Sequence, residues 1–329
     1  VTNKSIISLK FAIVNMKLKH IIVILFSLSF LLPGCVTRVD IPEEEDKMFH
    51  IELEMMRAED ISATLQTSNN LQGTFPIEYP EDAVVKLGIE GDGENVYFLE
   101  YNRDNGKYER DLTNIDNDIV IPTRTMTLSA EVPGSDIPVI TASTVVPIFG
   151  QIGGLEITES ELVPFQDLSF WEYEIEMSLM PVSVDYYQLL LEEQLAVLEI
   201  AGSDSTYIDV TTSPTNLDIV SYGIASSAIR EFNGEEGVFI DVAELDGDLT
   251  FSLRVRSSHP VTGPEILESV STKLISLTED GYNYKRGLHN IAESQNSIFG
   301  EKAIYRQNIR GGLGIFTACV AKDEKFPIR

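Results

Sequence analysis

Across much of residues 83–147, apolar and polar positions trade places at every second residue. That is the period of a strand with one face buried. AVVKLGIEG (83–91) and NVYFLEY (95–101) both alternate, and Gly91-Asp92-Gly93 between them supplies turn chemistry. Asp104-Asn105-Gly106 marks a second turn before KYERDL. TMTLSAEV (125–132), a Pro-Gly turn and IPVITASTVVP (137–147) complete the unit. Turn residues recur about every ten residues, the rhythm of a sandwich. The pattern predicts a first domain over 48–150 with an immunoglobulin-like β-sandwich fold.

The alternation lapses over GQIGGLEITESELVPFQD, so 151–167 reads as an acidic linker. A larger β-rich domain is expected over 168–329. WEYEIEMSLMP (171–181) sets Trp, Tyr, Ile and Met against three glutamates, as in a half-buried antiparallel strand. DYYQLLLEEQLAVLEI (185–200) fits either a helix or a long strand pair, and its paired tyrosines favour a strand. GVFIDVAEL (237–245) and LTFSLRVRSS (249–258) read as a hairpin through Asp246-Gly247-Asp248. TEDGYNYKRGLHNIAESQNS (278–297) is the one helical pattern: Thr278 can cap, acids fill the first turn, and Tyr284, Leu288 and Ile291 form a seam. IYRQNIRGGLGIFTACV reads as a glycine-kinked last strand. The fold class expected is therefore mainly β, with one helix near the C-terminus.

Upstream, the period disappears into an aliphatic run. Ile21 to Leu32 is apolar apart from Ser27 and Ser29, and Lys17, Lys19 and His20 precede it. A span needs about 20 apolar residues, so this run fits the apolar core of a secretory signal better than a membrane helix. It ends at Leu32-Pro33-Gly34-Cys35, which resembles the lipobox of bacterial lipoproteins. There the signal is cut before the cysteine, whose thiol takes a diacylglycerol and whose new amine is acylated. Two or more chains give a stable anchor where one holds only marginally. The expected processing makes 1–15 upstream of a natural Met16 start, 16–34 a signal peptide, and 35–47 an acidic tether. The tether carries Asp40, Glu43, Glu44, Glu45 and Asp46, similar to the export signal of Bacteroidota surface lipoproteins, and a solvated linker would look the same.

Composition narrows the partners. The formal net charge is −28, and the residues before Cys35 hold lysines but no acid, so the remainder is more negative still. Such a surface repels nucleic acid and anionic headgroups. A hydrophobic content of 43% is enough to build a packed core. With Cys35 lipidated, Cys319 has no intrachain partner and reads as a small core residue.

Candidate chemistry is sparse. His50, His259 and His289 do not pair at metal spacing, and neither HExxH nor GxSxG occurs. Gly311-Gly312-Leu313-Gly314 lacks the Lys-Ser/Thr of a phosphate loop. Among 52 acids, chance carboxylate pairs are certain, so they carry no weight as a glycosidase signature. Asp104-Asn105-Gly106 and Asn114-Ile115-Asp116-Asn117-Asp118 crowd oxygen donors of the kind calcium takes, but neither keeps the EF-hand register and turn chemistry accounts for both. Tyr79, Tyr97, Tyr101 and Tyr108 suit cross-strand pairs more than a glycan platform. No cofactor is expected, calcium being the alternative.

Taken in order, the lipobox, TLSAEVPGSDIPVITASTVVP, YYQLLL, SLTEDGYNYKRGL and NIRGGLGIF resemble an uncharacterised outer-membrane lipoprotein family of Bacteroidota, domain of unknown function 4249. The closing Gly311, Gly312, Leu313, Gly314, Ile315 and Phe316 are the most specific part; the following Thr317-Ala318-Cys319 departs from the family's small residues. The resemblance implies a β-rich two-part fold, attachment to the outer membrane through acyl chains, and an accessory role beside a TonB-dependent receptor. It implies no catalytic residues. Its glycines suggest tight backbone packing. The leading expectation is a non-enzymatic binding or accessory component of uptake; the alternatives are a surface adhesion or glycan-binding lipoprotein and an acidic-site hydrolase.

Overall fold

The structure, a computed structural model, describes residues 48–327 except 58, 68–77, 91–95, 111–118, 166, 181, 198–209, 212–214, 224–225, 246, 248, 259, 262–264 and 296–306. Leu32, Pro33, Gly34 and Cys35, the acidic tether, the Gly91-Asp92-Gly93 turn, the 114–118 run and His259 lie outside the described residues.

Alternation builds the first core. In β1 (Phe49–Met56), Phe49, Ile51, Leu53 and Met55 are buried while Glu52 and Glu54 face out. β2 (Ile61–Thr67) repeats the pattern, and β5 (Lys107–Arg110) pairs beyond it. A second group runs β4 (Val96–Asn102), β3 (Val84–Ile89), β6 (Thr125–Glu131) and β7 (Ile140–Val145), all antiparallel. β4 changes sheets: its first half pairs with β3, and Glu100 to Asn102 pair with β5. Both groups send alternate side chains into one apolar cluster.

The second core has the same logic. β8 (Ile152–Phe165), β9 (Leu168–Leu179), β15 (Thr250–Ser257) and β12 (Thr215–Tyr222) form one antiparallel sheet. Facing it, β10 (Tyr186–Val197) pairs along its length with β16 (Glu265–Leu277). On its other edge β10 meets β14 (Val238–Asp241), then β12 and the two-residue β11 (Val210–Thr211). The two-residue β13 (Ile229–Arg230) extends β14. Tyr173, Ile175, Met177, Phe251, Leu253, Leu189 and Val270 fill the space between.

One strand belongs to both cores. β17 (Leu313–Pro327) runs parallel to β1 from Leu313 to Cys319, then antiparallel to β16 from Cys319 to Pro327. Phe316, Ala318 and Val320 enter the first core. Cys319 joins Phe232, Phe239, Ile275, Leu277 and Tyr282 in a third cluster. Residues 314–320 are all buried, as a continuous apolar strand covered on both faces must be.

The helix α1 (Glu279–Gln295) packs against this strand. Gly281 N donates to Thr278 Oγ1 at 3.0 Å, and Glu279 and Asp280 lie in the first turn, where the helix dipole favours negative charge. Tyr282 stacks on Tyr186 at 4.3 Å. Lys285 reaches Glu54 at 3.1 Å and Glu235 at 2.8 Å.

Three expectations need correction. The stretch read as a linker, 151–167, is mostly β8: its solvent-facing positions carry glutamates, and register breaks beside Gly153 and Thr158 blur the period. The 237–258 segments do not form a hairpin. A 3-10 turn at Val242–Glu244, capped by Asp241, sends β14 to β10 and β15 to β9 and β12. The helix seam is also shifted: Tyr282 and Tyr284 are buried, whereas Leu288 is 41% exposed, because the first turns make the contact with β17. The 185–200 stretch is one long strand over Tyr186–Val197, with a register shift at Gln194/Leu195.

Candidate functional site

β7 pairs with β6 on one side. On its other side Thr141 meets Arg310: Thr141 N donates to Arg310 O at 2.9 Å, and Arg310 N to Thr141 O at 2.8 Å. Two clefts lie along β7 and share Ser143, and Thr141 and Arg310 line the second of them. The first, about 400 Å³, lies among β7, the start of β10 and the start of α1. The second, about 530 Å³, lies between β7 and residues 307–310.

The lining is polar. Hydroxyls come from Thr125, Ser143, Thr144, Ser183 and Thr278, carboxylates from Asp185, Glu279 and Asp280. Gln307, Asn308 and Arg310 line the second cleft. Tyr186 adds an aromatic ring; burial, then nearby carboxylates beginning with Asp241, raise its pKa, so the phenol stays protonated. The acids at the start of α1 offset the dipole that would otherwise draw an anion. The arrangement suits a neutral polyhydroxylated or cationic ligand, held by exchanged hydrogen bonds.

The closing motif forms the wall beside the second cleft. Asn308 does the work of a strand rung: its Nδ2 donates to Phe316 O at 2.7 Å, and its Oδ1 accepts from Phe316 N at 2.9 Å. The same Nδ2 reaches Asp280 Oδ2 at 3.2 Å, tying β17 to the helix start. Gly314 N donates to Gln307 Oε1 at 3.3 Å. Gly311 and Gly314 take positive φ, 78° and 113°. A Cβ on Gly311 would strike Val139 O, on Gly314 Ile51 O, and on Gly312 would lie 2.6 Å from Phe49 O. Ile315 and Phe316 are buried and Leu313 is half-buried. These residues pack backbone against backbone.

The other candidates fall apart as a site. In the Asp104-Asn105-Gly106 turn Asn105 Oδ1 accepts from Lys107 N, and the neighbouring Asn102 Oδ1 accepts from Asp104 N. Among the described residues no group of three or more His, Cys, Asp or Glu is placed to hold a metal ion. Tyr101 and Tyr108 face each other across β4 and β5 with rings 5.2 Å apart. The buried Tyr108 hydroxyl donates to Pro80 O and accepts from Ala83 N; burial pushes its pKa up to about 12. Tyr97 lies under Arg110, and Tyr79 is exposed. His289 Nδ1 accepts from Asn233 N at 3.1 Å. His50 packs beside Glu52; burial lowers its pKa and outweighs the carboxylate. Cys319 is buried, and burial first and Glu54 second push its thiol well up.

Two buried carboxylates escaped sequence reasoning. Glu193, on β10, accepts from Tyr173 Oη at 3.1 Å and from Ser257 Oγ. Glu172 lies beneath Arg254 and Arg256. Strand alternation puts Glu193 in phase with the buried Leu189, Leu191 and Leu195, and the exposed Glu192 out of phase.

The fold and the cleft define a mainly β protein with two cores laced by one C-terminal strand and a polar cleft beside the lacing. Residues 39–325 match the model of a family described as a domain of unknown function, DUF4249, and the chain belongs to that family. The match spans both cores and most of β17. A comparison with curated proteins gives no match.

Proposed function

We propose that this is a lipid-anchored outer-membrane protein of a Bacteroidota bacterium that acts by binding, as a non-enzymatic accessory of a TonB-dependent uptake system. The observation that carries this reading is the border at Cys35, where an aliphatic run ending Leu-Leu-Pro-Gly meets an acidic tether. The anchor confines the cores to the membrane plane and raises their effective concentration for a receptor there. The first core is proposed as an immunoglobulin-like β-sandwich, because its two strand groups close on one cluster and β4 crosses between them. The cleft along β7 is the proposed ligand site.

The test is fractionation and co-purification from the native membrane. The intact protein is expected to carry acyl label and to bring a TonB-dependent receptor with it, and Cys35→Ala to lose the label. Label retained by Cys35→Ala, or a receptor that assembles and transports normally in a deletion strain, would contradict the proposal. A second reading, glycan binding at the cell surface, draws on the hydroxyls and carboxylates of the cleft. It predicts saccharide binding abolished by Ser143→Trp, and protease-accessible epitopes on intact cells.

A further inference from the structure

β8 is a long sheet edge. It spans 14 residues, about 45 Å at ~3.3 Å per residue, and among the described residues it pairs only with β9. Its other side presents a row of backbone N–H and C=O groups, the template on which a further strand can add. Natural edges of this length are blunted by charge, bulges or proline. β8 has all three, at its glutamates, at Gly153 and Thr158, and at Pro164.

The charges are arranged unusually. Register sets Glu156 opposite Glu176, Glu159 opposite Glu174, and Glu161 opposite Glu172. Like charges directly opposed on one face destabilise a sheet. Tyr173, Ile175 and Met177 point into the core, so this ladder lies on the outer face. Arg254 stands opposite Glu174 in register but turns its guanidinium to Glu161 and Glu172, and Arg256 binds Glu172 at 2.5 Å, so the ion pairs gather on the distal rung. No described residue forms an ion pair with Glu156, Glu159, Glu174 or Glu176. At the hairpin tip the same face turns apolar, with Phe165 and Leu168 about half exposed and Arg256 5.2 Å above the Phe165 ring.

We propose that the β8 edge is a docking site for an extended segment of another protein, added as a further strand. That segment carries lysine or arginine at alternate positions against Glu156 and Glu159, and an apolar side chain against the Phe165–Leu168 tip. Charge complementarity selects this occupant. A second copy pairing edge to edge would set glutamate against glutamate on a chain of net charge −28. The same charge disfavours an anionic lipid surface. Backbone bonds give the segment its register, and the carboxylate rungs that have no ion pair among the described residues give its sign. The site is separate from the cleft along β7.

The test uses the full chain in detergent micelles and a synthetic peptide alternating lysine and valine. The peptide should bind with marked salt dependence and slow amide exchange along β8. Backbone N-methylation of the peptide keeps its charge but removes strand addition, and should weaken binding about tenfold or more on the unaltered protein. Glu156→Gln with Glu159→Gln should do the same while leaving the circular dichroism spectrum unchanged. Equal binding by the N-methylated peptide would overturn the proposal, reducing the ladder to counter-ion attraction. So would a homodimer that the glutamine variant alters, or binding to phosphatidylcholine vesicles lost in Phe165→Ser.

Discussion

Gly314 illustrates what a single residue decides. Its φ of 113° is open to glycine, and a Cβ there would run into Ile51 O on the neighbouring strand. Gly314→Ala should therefore cost on the order of 3 kcal/mol in urea unfolding. Gly247, with open space around it and no positive φ, is the control, and Gly247→Ala should be neutral or slightly stabilising. His50 makes a second prediction. Its Nδ1 is buried without a hydrogen-bond partner among the described residues, and burial lowers its pKa below the ordinary 6.5. The unfolded chain then binds the proton first, so the folded state loses stability as pH falls below 6.5. His50→Gln should remove that increment, seen as a smaller acid-side drop in melting temperature than the unaltered protein shows over the same steps. Equal drops would contradict it. At this scale the family resemblance already pointed to close backbone packing at the glycines. Residue type alone does not mark Glu193 as buried; its strand phase, shared with Leu189, Leu191 and Leu195, does.

Among elements, β17 carries the greatest structural weight, because its two halves complete different sheets. Asn308 fixes where it enters, through both backbone groups of Phe316. Asn308→Ala should cost about 1–3 kcal/mol and lower the unfolding midpoint of both cores together, followed through Trp171 in the second and hydrogen exchange of β1 in the first. A midpoint change confined to one core would mean that β17 does not couple them. Strands whose two faces differ in solvation, such as β3, β6 and β9, were legible from alternation alone. Partners were not. β14 is buried at Val238, Phe239 and Ile240, so no alternation marks its face, and nothing local tells it to join β10 instead of β15. In sequence 151–167 reads as a linker because the residues that protect an exposed edge, glutamates and bulges, are also those that typify linkers. The cap and acids of α1 mark it in the sequence, but contact with β17 at Thr317, and not the seam period, sets which of its residues are covered.

For the whole molecule, sequence and structure inform different halves of the account. The structure supplies two cores, a shared strand and a polar cleft, and family membership extends over all three. The proposed address rests on residues 16–47, with an aliphatic run, a cysteine and an acidic cluster. Neither the cleft nor the β8 edge was legible in the sequence. The cleft's hydroxyls come from several separate segments, and the edge's opposed glutamates become neighbours only once β8 folds onto β9. The chain's net charge of −28 is consistent with the cationic or neutral ligands proposed for both. The central claim is that the cores work from a lipid anchor at Cys35. Mass spectrometry of the N-terminal peptide from the purified membrane form tests it most directly. The account predicts a peptide beginning at Cys35, with a diacylglycerol thioether on the thiol and an acylated amine. A peptide that runs through Gly34 into an unmodified Cys35 would contradict it.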